Sequence, residues 1–168
     1  MPKIIENLQE KLVCEARRQV QEQGYAALTI RSVATTCGVG VGTVYNYFAS
    51  KDALVAAFML TDWQKAMSVI LNTAQHSPTA SPVFACIHRQ LLQFTELHQA
   101  VFADEAAVAS FSGSPGPYHT LLRSQLAAPL RKYCPDDFAA EFIAEALLTW
   151  TVAGRGIEEL QPLLEKLL

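Results

Sequence analysis

The segment T-I-R-S-V-A-T-T-C-G-V-G-V-G-T-V-Y-N-Y-F-A-S-K, Thr29 to Lys51, is punctuated so densely that its folding has few options. Thr29 is a good helix N-cap, with Leu28 before it and Val33 at the fourth helical position, the pair that makes a hydrophobic staple. The helix it opens runs to about Thr36, and Cys37-Gly38 breaks it. Gly40 then caps a second helix, about eight residues long, with Val39 and Val44 placed as a second staple. Two staples fix both entry angles locally. The segment reads as a helix-turn-helix, an arrangement whose second helix is offered to the major groove.

Helical geometry sorts that second helix. With Val44 pointing inward, Phe48 lies about 40° away, and Tyr47 about 60° away on the other side. Gly42 and Asn46 fall on the opposite face, at about 160° and 200°, with Thr43 and Tyr45 on the flanks. Gly42 costs roughly 1 kcal/mol of helix stability against alanine, with no structural return. A helix that brings its backbone close to DNA does gain from it. Asn suits the N6/N7 edge of adenine, and Thr and Tyr hydroxyls suit phosphate oxygens. Lys51 sits at a helix start, the wrong end for a cation by the helix dipole, unless a phosphate is near.

The rest of the chain is helical in pattern, with no period-2 alternation and no internal repeat. Ile5, Leu8, Leu12, Ala16 and Val20 recur at helical spacing up to Gly24. Leu54, Phe58, Trp63, Met67 and Leu71 mark a long helix that Ser50 caps. Stretches 76–82 and 112–117 read as loops, flanking a helical block with Leu91, Leu92, Phe94, Leu97, Val101 and Phe102. After C-P-D-D comes an apolar helix from about 137 to 153, and the tail G-I-E-E-L-Q-P-L-L-E-K-L-L reads as one more, weakened by Pro162. The fold class is all-α: an N-terminal three-helix DNA-binding domain over 1–51, then a helical body over 52–168.

Charge supports two parts. Residues 1–51 hold six Lys/Arg against four Glu, a balance of +2, whereas 52–168 hold seven basic and twelve acidic residues, a balance of −5. A basic head on an acidic body fits a chain in which only the head meets a polyanion. No run of 18 apolar residues occurs and the N-terminus is charged throughout, so neither a signal peptide nor a membrane span is expected. Cys14, Cys37, Cys86 and Cys134 lack CxxC spacing and read as reduced, buried small hydrophobes of a cytoplasmic protein.

The pattern T-x-R-x-V-A … G-V-x-x-G-T-V-Y-x-Y-F-x-S-K resembles the DNA-binding domain of the TetR family of transcriptional regulators, over roughly residues 5–65. The resemblance implies a homodimer on double-stranded DNA, with a C-terminal helical domain that often binds a small effector. It also implies that Thr29, Arg31, Val41, Gly42, Thr43, Tyr45, Asn46, Tyr47 and Lys51 contact or adjoin DNA. Two departures stand out: Gly40 replaces the usual Ser or Thr cap, and Tyr47 replaces a frequent His.

Other chemistry finds no support. His76, His88, His98 and His119 never pair at i, i+3 or i, i+4, so no metal is expected. No GxSxG, HExxH or phosphate loop accompanies the Ser, Cys and His residues, and neither enzyme activity nor a cofactor is expected. Phe138, Phe142, Ala146 and Trp150 form an i, i+4 stripe suited to a dimer interface, which Ile143, Leu147 and Leu148 widen. Trp63 and Met67 on one helix, and Phe94 and His98 on another, are candidates to line an apolar ligand site, as Phe58, Met59, Phe102, Phe111 and Tyr118 are more weakly. Two readings stay open: a repressor released from its operator by a small apolar ligand, or a ligand-independent DNA-binding architectural or adaptor protein with a solid core.

Overall fold

The computed structural model describes residues 7–111 and 117–168, and Ile5 and the 112–116 part of the second expected loop lie outside them. Among the described residues ten α-helices follow one another: α1 (Leu8–Gln23), α2 (Ile30–Cys37), α3 (Val41–Tyr45), α4 (Lys51–His76), α5 (Ser81–Leu97), α6 (Gln99–Phe102), α7 (Glu105–Phe111), α8 (Pro117–Leu130), α9 (Asp137–Val152) and α10 (Ile157–Leu164). A 3₁₀ turn, Glu165–Leu167, follows, and no strand occurs among the described residues. The chain divides into two compact units, Met1–Thr61 with Gln99–Phe111, and Asp62–His98 with Ser112–Leu168.

In the first unit, α1 buries Leu8, Leu12, Ala16 and Val20 at helical spacing. It stops at Gly24, whose φ of 84° only glycine adopts readily and whose N–H bonds the Val20 carbonyl at 2.9 Å. Helix α4 starts where expected, with Ser50 Oγ accepting from the Ala53 N–H at 3.0 Å. Leu54, Val55 and Phe58 on its first turns are buried. Tyr25, Leu28, Val33, Val44 and Phe48 are buried as well, so both expected staples have an inward anchor.

The second unit is built on a core that includes Trp63, Ile70, Phe84, Ile87, Leu126, Leu130, Ile143 and Leu147. Asp136 caps α9 through a 2.7 Å bond from the Ala139 N–H. Tyr133 Oη reaches the carbonyls of Ala74 and Ser77 at 3.0 and 2.9 Å, tying down the end of α4. His88 Nε2 lies 2.9 Å from the Arg155 carbonyl, which occupies that imidazole.

Several expectations change. The helical block between the two loops is three helices, because His98 interrupts it and Asp104 opens α7 by accepting from Ala106 and Ala107 N–H at 3.0 and 3.1 Å. Helix α8 was not foreseen: Pro117 starts it, and Leu126, Ala127 and Leu130 bury its inner face. Pro129 falls in its last turns, where a missing N–H costs little more than the end of the helix. Ile143, Leu147 and Leu148 do not widen an outer surface, since they belong to the unit's own core. Leu71 is exposed, and of the four cysteines, all of them free, Cys86 alone is buried, with Cys14 exposed and Cys37 and Cys134 half-buried. Helix α4 is long and apolar enough to cross a membrane by length and composition alone, but half of its most apolar stretch is buried inside the protein, as in a core helix.

Candidate nucleic-acid interface

The interface is assembled from local capping. Thr29 is extended, its Oγ1 accepting from the Ser32 N–H at 3.0 Å while Ser32 Oγ accepts from the Thr29 N–H at 3.2 Å, a reciprocal capping box. Ser32 Oγ also lies 2.6 Å from Oε1 of Gln19, a buried amide on α1, and donates to it. Gln19 Nε2 in turn donates to Glu15 Oε1 at 2.7 Å. Arg18, hydrogen-bonded to the same carboxylate, holds Glu15 below the usual carboxylate range against a smaller opposing effect of burial. The start of α2 is thereby keyed to α1.

The turn into α3 is a Schellman motif. Gly38 takes φ 69°, its N–H bonds the Thr35 carbonyl at 3.2 Å, and the Val39 N–H bonds the Ala34 carbonyl at 3.0 Å. The half-buried Cys37 ends α2 beside the Lys11 carbonyl, and burial chiefly, with Glu15 second, pushes its thiol up. Gly40 is extended and offers no side-chain cap; its carbonyl accepts from Thr43 N–H at 2.9 Å.

Helix α3 has five residues, not eight. Asn46 keeps helical angles at its C-cap, and the Tyr47 N–H reaches back to the Val44 carbonyl at 3.0 Å, a tighter three-residue closure. The shortening leaves the sorting of faces intact. Val44 and Phe48 point inward, whereas Val41, Gly42 and Asn46 are exposed. Tyr45 is 54% and Tyr47 47% exposed, so neither phenol is a core residue, although Tyr47 lies nearer the inward side by angle. Thr43 is half-buried, and Thr29 and Arg31 are exposed at the start of α2. A Cβ placed on Gly42 would meet nothing within 4 Å, so no neighbour in the chain demands glycine there.

Lys51 differs from the other expected DNA contacts. Its Nζ donates to the Tyr25 carbonyl at 3.1 Å and lies 3.9 Å from the centre of the Tyr25 ring. The Tyr25 hydroxyl donates to Asp52. Neither this cluster nor the Gln19–Ser32 link was foreseen from sequence. A polar residue within the apolar stripe of α1 was the available signal for Gln19; nothing local marks Tyr25.

In the second unit the four candidate ligand residues do come together. Trp63 and Phe94 meet edge to face at 5.5 Å and 77°, Phe94 and His98 lie 4.6 Å apart, and Met67 is buried in the same core. His98 Nε2 stands 3.3 Å from a carboxylate oxygen of Asp62, and Trp63 Nε1 donates to Gln125 Oε1 at 2.5 Å. Met59 and Phe58 are buried in core positions, Phe102 is half-buried, Tyr118 is exposed, and the side chain of Phe111 lies outside the described residues. Of the expected dimer stripe, Phe138 is 76%, Phe142 52% and Trp150 49% exposed, while Ala146 packs against the core. No group of three or more His, Cys, Asp or Glu able to hold a metal occurs among the described residues.

Residues 12–58 match the family model described as "Bacterial regulatory proteins, tetR family". A curated relative, the HTH-type transcriptional regulator UidR of Escherichia coli (strain K12), is 29% identical over 58 residues, 34% of this chain and 30% of the relative's length. Among solved structures, the TetR family repressor AlkX from Dietzia superposes with a TM-score of 0.64 at 17% identity, covering 96% of this chain and 97% of that one. The multidrug binding protein EbrR, complexed with imidazole, superposes with a TM-score of 0.65 at 18% identity, covering 95% and 94%. The fold of these neighbours is shared along nearly the whole chain, and the sequence likeness is concentrated in its first third. Over residues 12–58 the chain carries an N-terminal domain like that of the TetR family of bacterial regulatory proteins, and it spans less than a third of the curated relatives' length.

Proposed function

We propose that the protein is a cytoplasmic, homodimeric transcriptional regulator, and not an enzyme, that binds a partly palindromic double-stranded DNA operator and represses until a small apolar ligand releases it. The observation that carries the DNA reading is Gly42. It sits in a short helix at ordinary helical angles, with open space where its side chain would be, between the exposed Val41 and Thr43 and one turn from the exposed Asn46. A weak helix former with no internal reason to be there fits a backbone that approaches a duplex closely. On this reading Asn46 reads a base edge, and Thr29, Arg31, Thr43, Tyr45 and Tyr47 reach phosphates. Two such helices need a two-fold dimer to meet successive half-sites, and the exposed Phe138, Phe142 and Trp150 offer the apolar surface for it.

The ligand arm rests on Trp63, Met67, Phe94 and His98 being adjacent, and on the relatedness in fold to AlkX, described as implicated in biodegradation of n-alkanes, and to the multidrug binding EbrR. The direct contact between Trp63 and Phe94 favours the second reading, in which that interior is filled and the protein regulates without a ligand. Selection of bound duplexes from a random pool tests the DNA arm. Wild type should enrich an inverted repeat, and Asn46→Ala should relax one base position in each half by about 1–3 kcal/mol. Enrichment of no sequence would reject a sequence-specific regulator.

A further inference from the structure

The helix-turn-helix is closed into a ring at a single residue. Tyr25 lies in the connection between α1 and α2, just before Thr29 opens α2, and Lys51 and Asp52 lie where α4 begins, just after α3. The Tyr25 carbonyl accepts from the Leu28 N–H at 3.2 Å and from Lys51 Nζ at 3.1 Å, while its ring lies under the same ammonium and its hydroxyl donates to Asp52. Entry to and exit from the helix pair are therefore tied through both ends of one buried side chain and its backbone. Burial chiefly, and the bond to Asp52 second, push the Tyr25 phenol far above its ordinary value, so it stays a proton donor at working pH. Helix α3, with five residues, cannot hold its own orientation, because isolated helices so short do not persist in water.

We propose that Lys51 serves DNA binding as a positioning residue, clamping the start of α4 onto Tyr25 to hold α3 at its angle, and not as a phosphate ligand. The inference rests on the DNA-binding reading above. It assigns the ammonium to a cation–π contact and a charged hydrogen bond inside the protein, which also offsets the unfavourable placing of a cation at a helix N-terminus.

The test is the salt dependence of binding to the selected duplex for wild type, Lys51→Met, Tyr25→Leu and the double variant. A clamp predicts that Lys51→Met weakens binding by roughly thirtyfold, the lower end of the scale of a lost cation–π contact and charged hydrogen bond, and that Tyr25→Leu, which keeps the carbonyl, weakens it by less. The double variant should be no weaker than the weaker single one. The slope of log K against log salt should stay at the wild-type value. A slope smaller by about 0.9 in Lys51→Met, the signature of one lost phosphate contact, would overturn the inference. So would wild-type binding by Tyr25→Leu. Because Tyr25 is buried and its replacement can unsettle the fold, a second measurement uses the unaltered protein. The Lys51 Hε protons should show an upfield ring-current shift in the NMR spectrum with and without DNA; loss of that shift on adding the duplex also overturns the clamp. A wild-type protein that binds no duplex removes the DNA reading and this inference together, whereas a reduced slope with binding intact removes this inference alone.

Discussion

Ser32→Ala should damage the helix-turn-helix more than Thr29→Ala, although the two residues form one capping box. Thr29→Ala takes away the acceptor for the Ser32 N–H, near solvent where water replaces it, at about 1 kcal/mol. Ser32→Ala removes the reciprocal half of the box and also the hydroxyl that donates to Gln19 Oε1 at 2.6 Å. Gln19 is buried, so its carbonyl oxygen loses a partner that water does not readily replace, adding roughly 1–3 kcal/mol. The difference is best read locally, by native-state amide exchange at Val33 and Ala34 in α2. With a tenfold change for each 1.4 kcal/mol, Thr29→Ala should lower protection about fivefold, and Ser32→Ala roughly thirty- to several-hundredfold. Adding Gln19→Leu to Ser32→Ala replaces both polar partners by apolar groups and should restore part of the loss. Equal damage from the two single changes, or a double variant no better than Ser32→Ala, would refute the role given to the buried amide.

Three further outcomes are expected. Gly42→Ala should stabilise α3 by about 1 kcal/mol in denaturant titration, since its angles are helical and its Cβ meets nothing, yet weaken operator binding; unchanged binding would remove the case for close backbone approach. Phe142→Glu should convert a dimer to monomers in sedimentation at micromolar concentration: burying the exposed half of that ring in both copies is worth about 5 kcal/mol, and the charge opposes it. A wild-type monomer there would end the dimer proposal. Apolar metabolites should raise the melting temperature of wild type but lose that effect with Phe94→Ala or His98→Ala, and hits undiminished in both variants would place the ligand elsewhere.

The legible parts of the chain were those whose boundaries are written in neighbouring residues. Gly24, Thr29, Gly38, Ser50 and Asp136 each act within one turn of themselves, so the ends of α1, α2, α4 and α9 could be read directly. Helix α8 was missed because its prolines look like loop punctuation, although Pro117 opens the helix and Pro129 falls near its end. The breaks around α6 were missed for the opposite reason, since His98 and Asp104 stand where no glycine or proline gives warning. At the candidate site, the face of α3 was predictable from 100° per residue, because exposure there follows from Val44 and Phe48 alone. The engagement of Lys51 was not, because Tyr25 is 26 positions away and only the tertiary fold brings its ring beneath the ammonium.

Helix α3 keeps its holding residues apart from its outward ones. Val44 and Phe48 face the core and the turn before it is set by Gly38 and Gly40, while Val41, Gly42, Tyr45 and Asn46 are exposed. Substitutions at those outward positions therefore carry almost no folding penalty, as surface changes away from packed contacts generally do. A lineage of such chains can drift from one DNA target to another through single steps, each intermediate folding as well as its parent. A truncation at Val44 or Phe48 instead removes buried packing and costs stability directly. Packing constrains the scaffold, and the outward face of α3 is free to change without unfolding it.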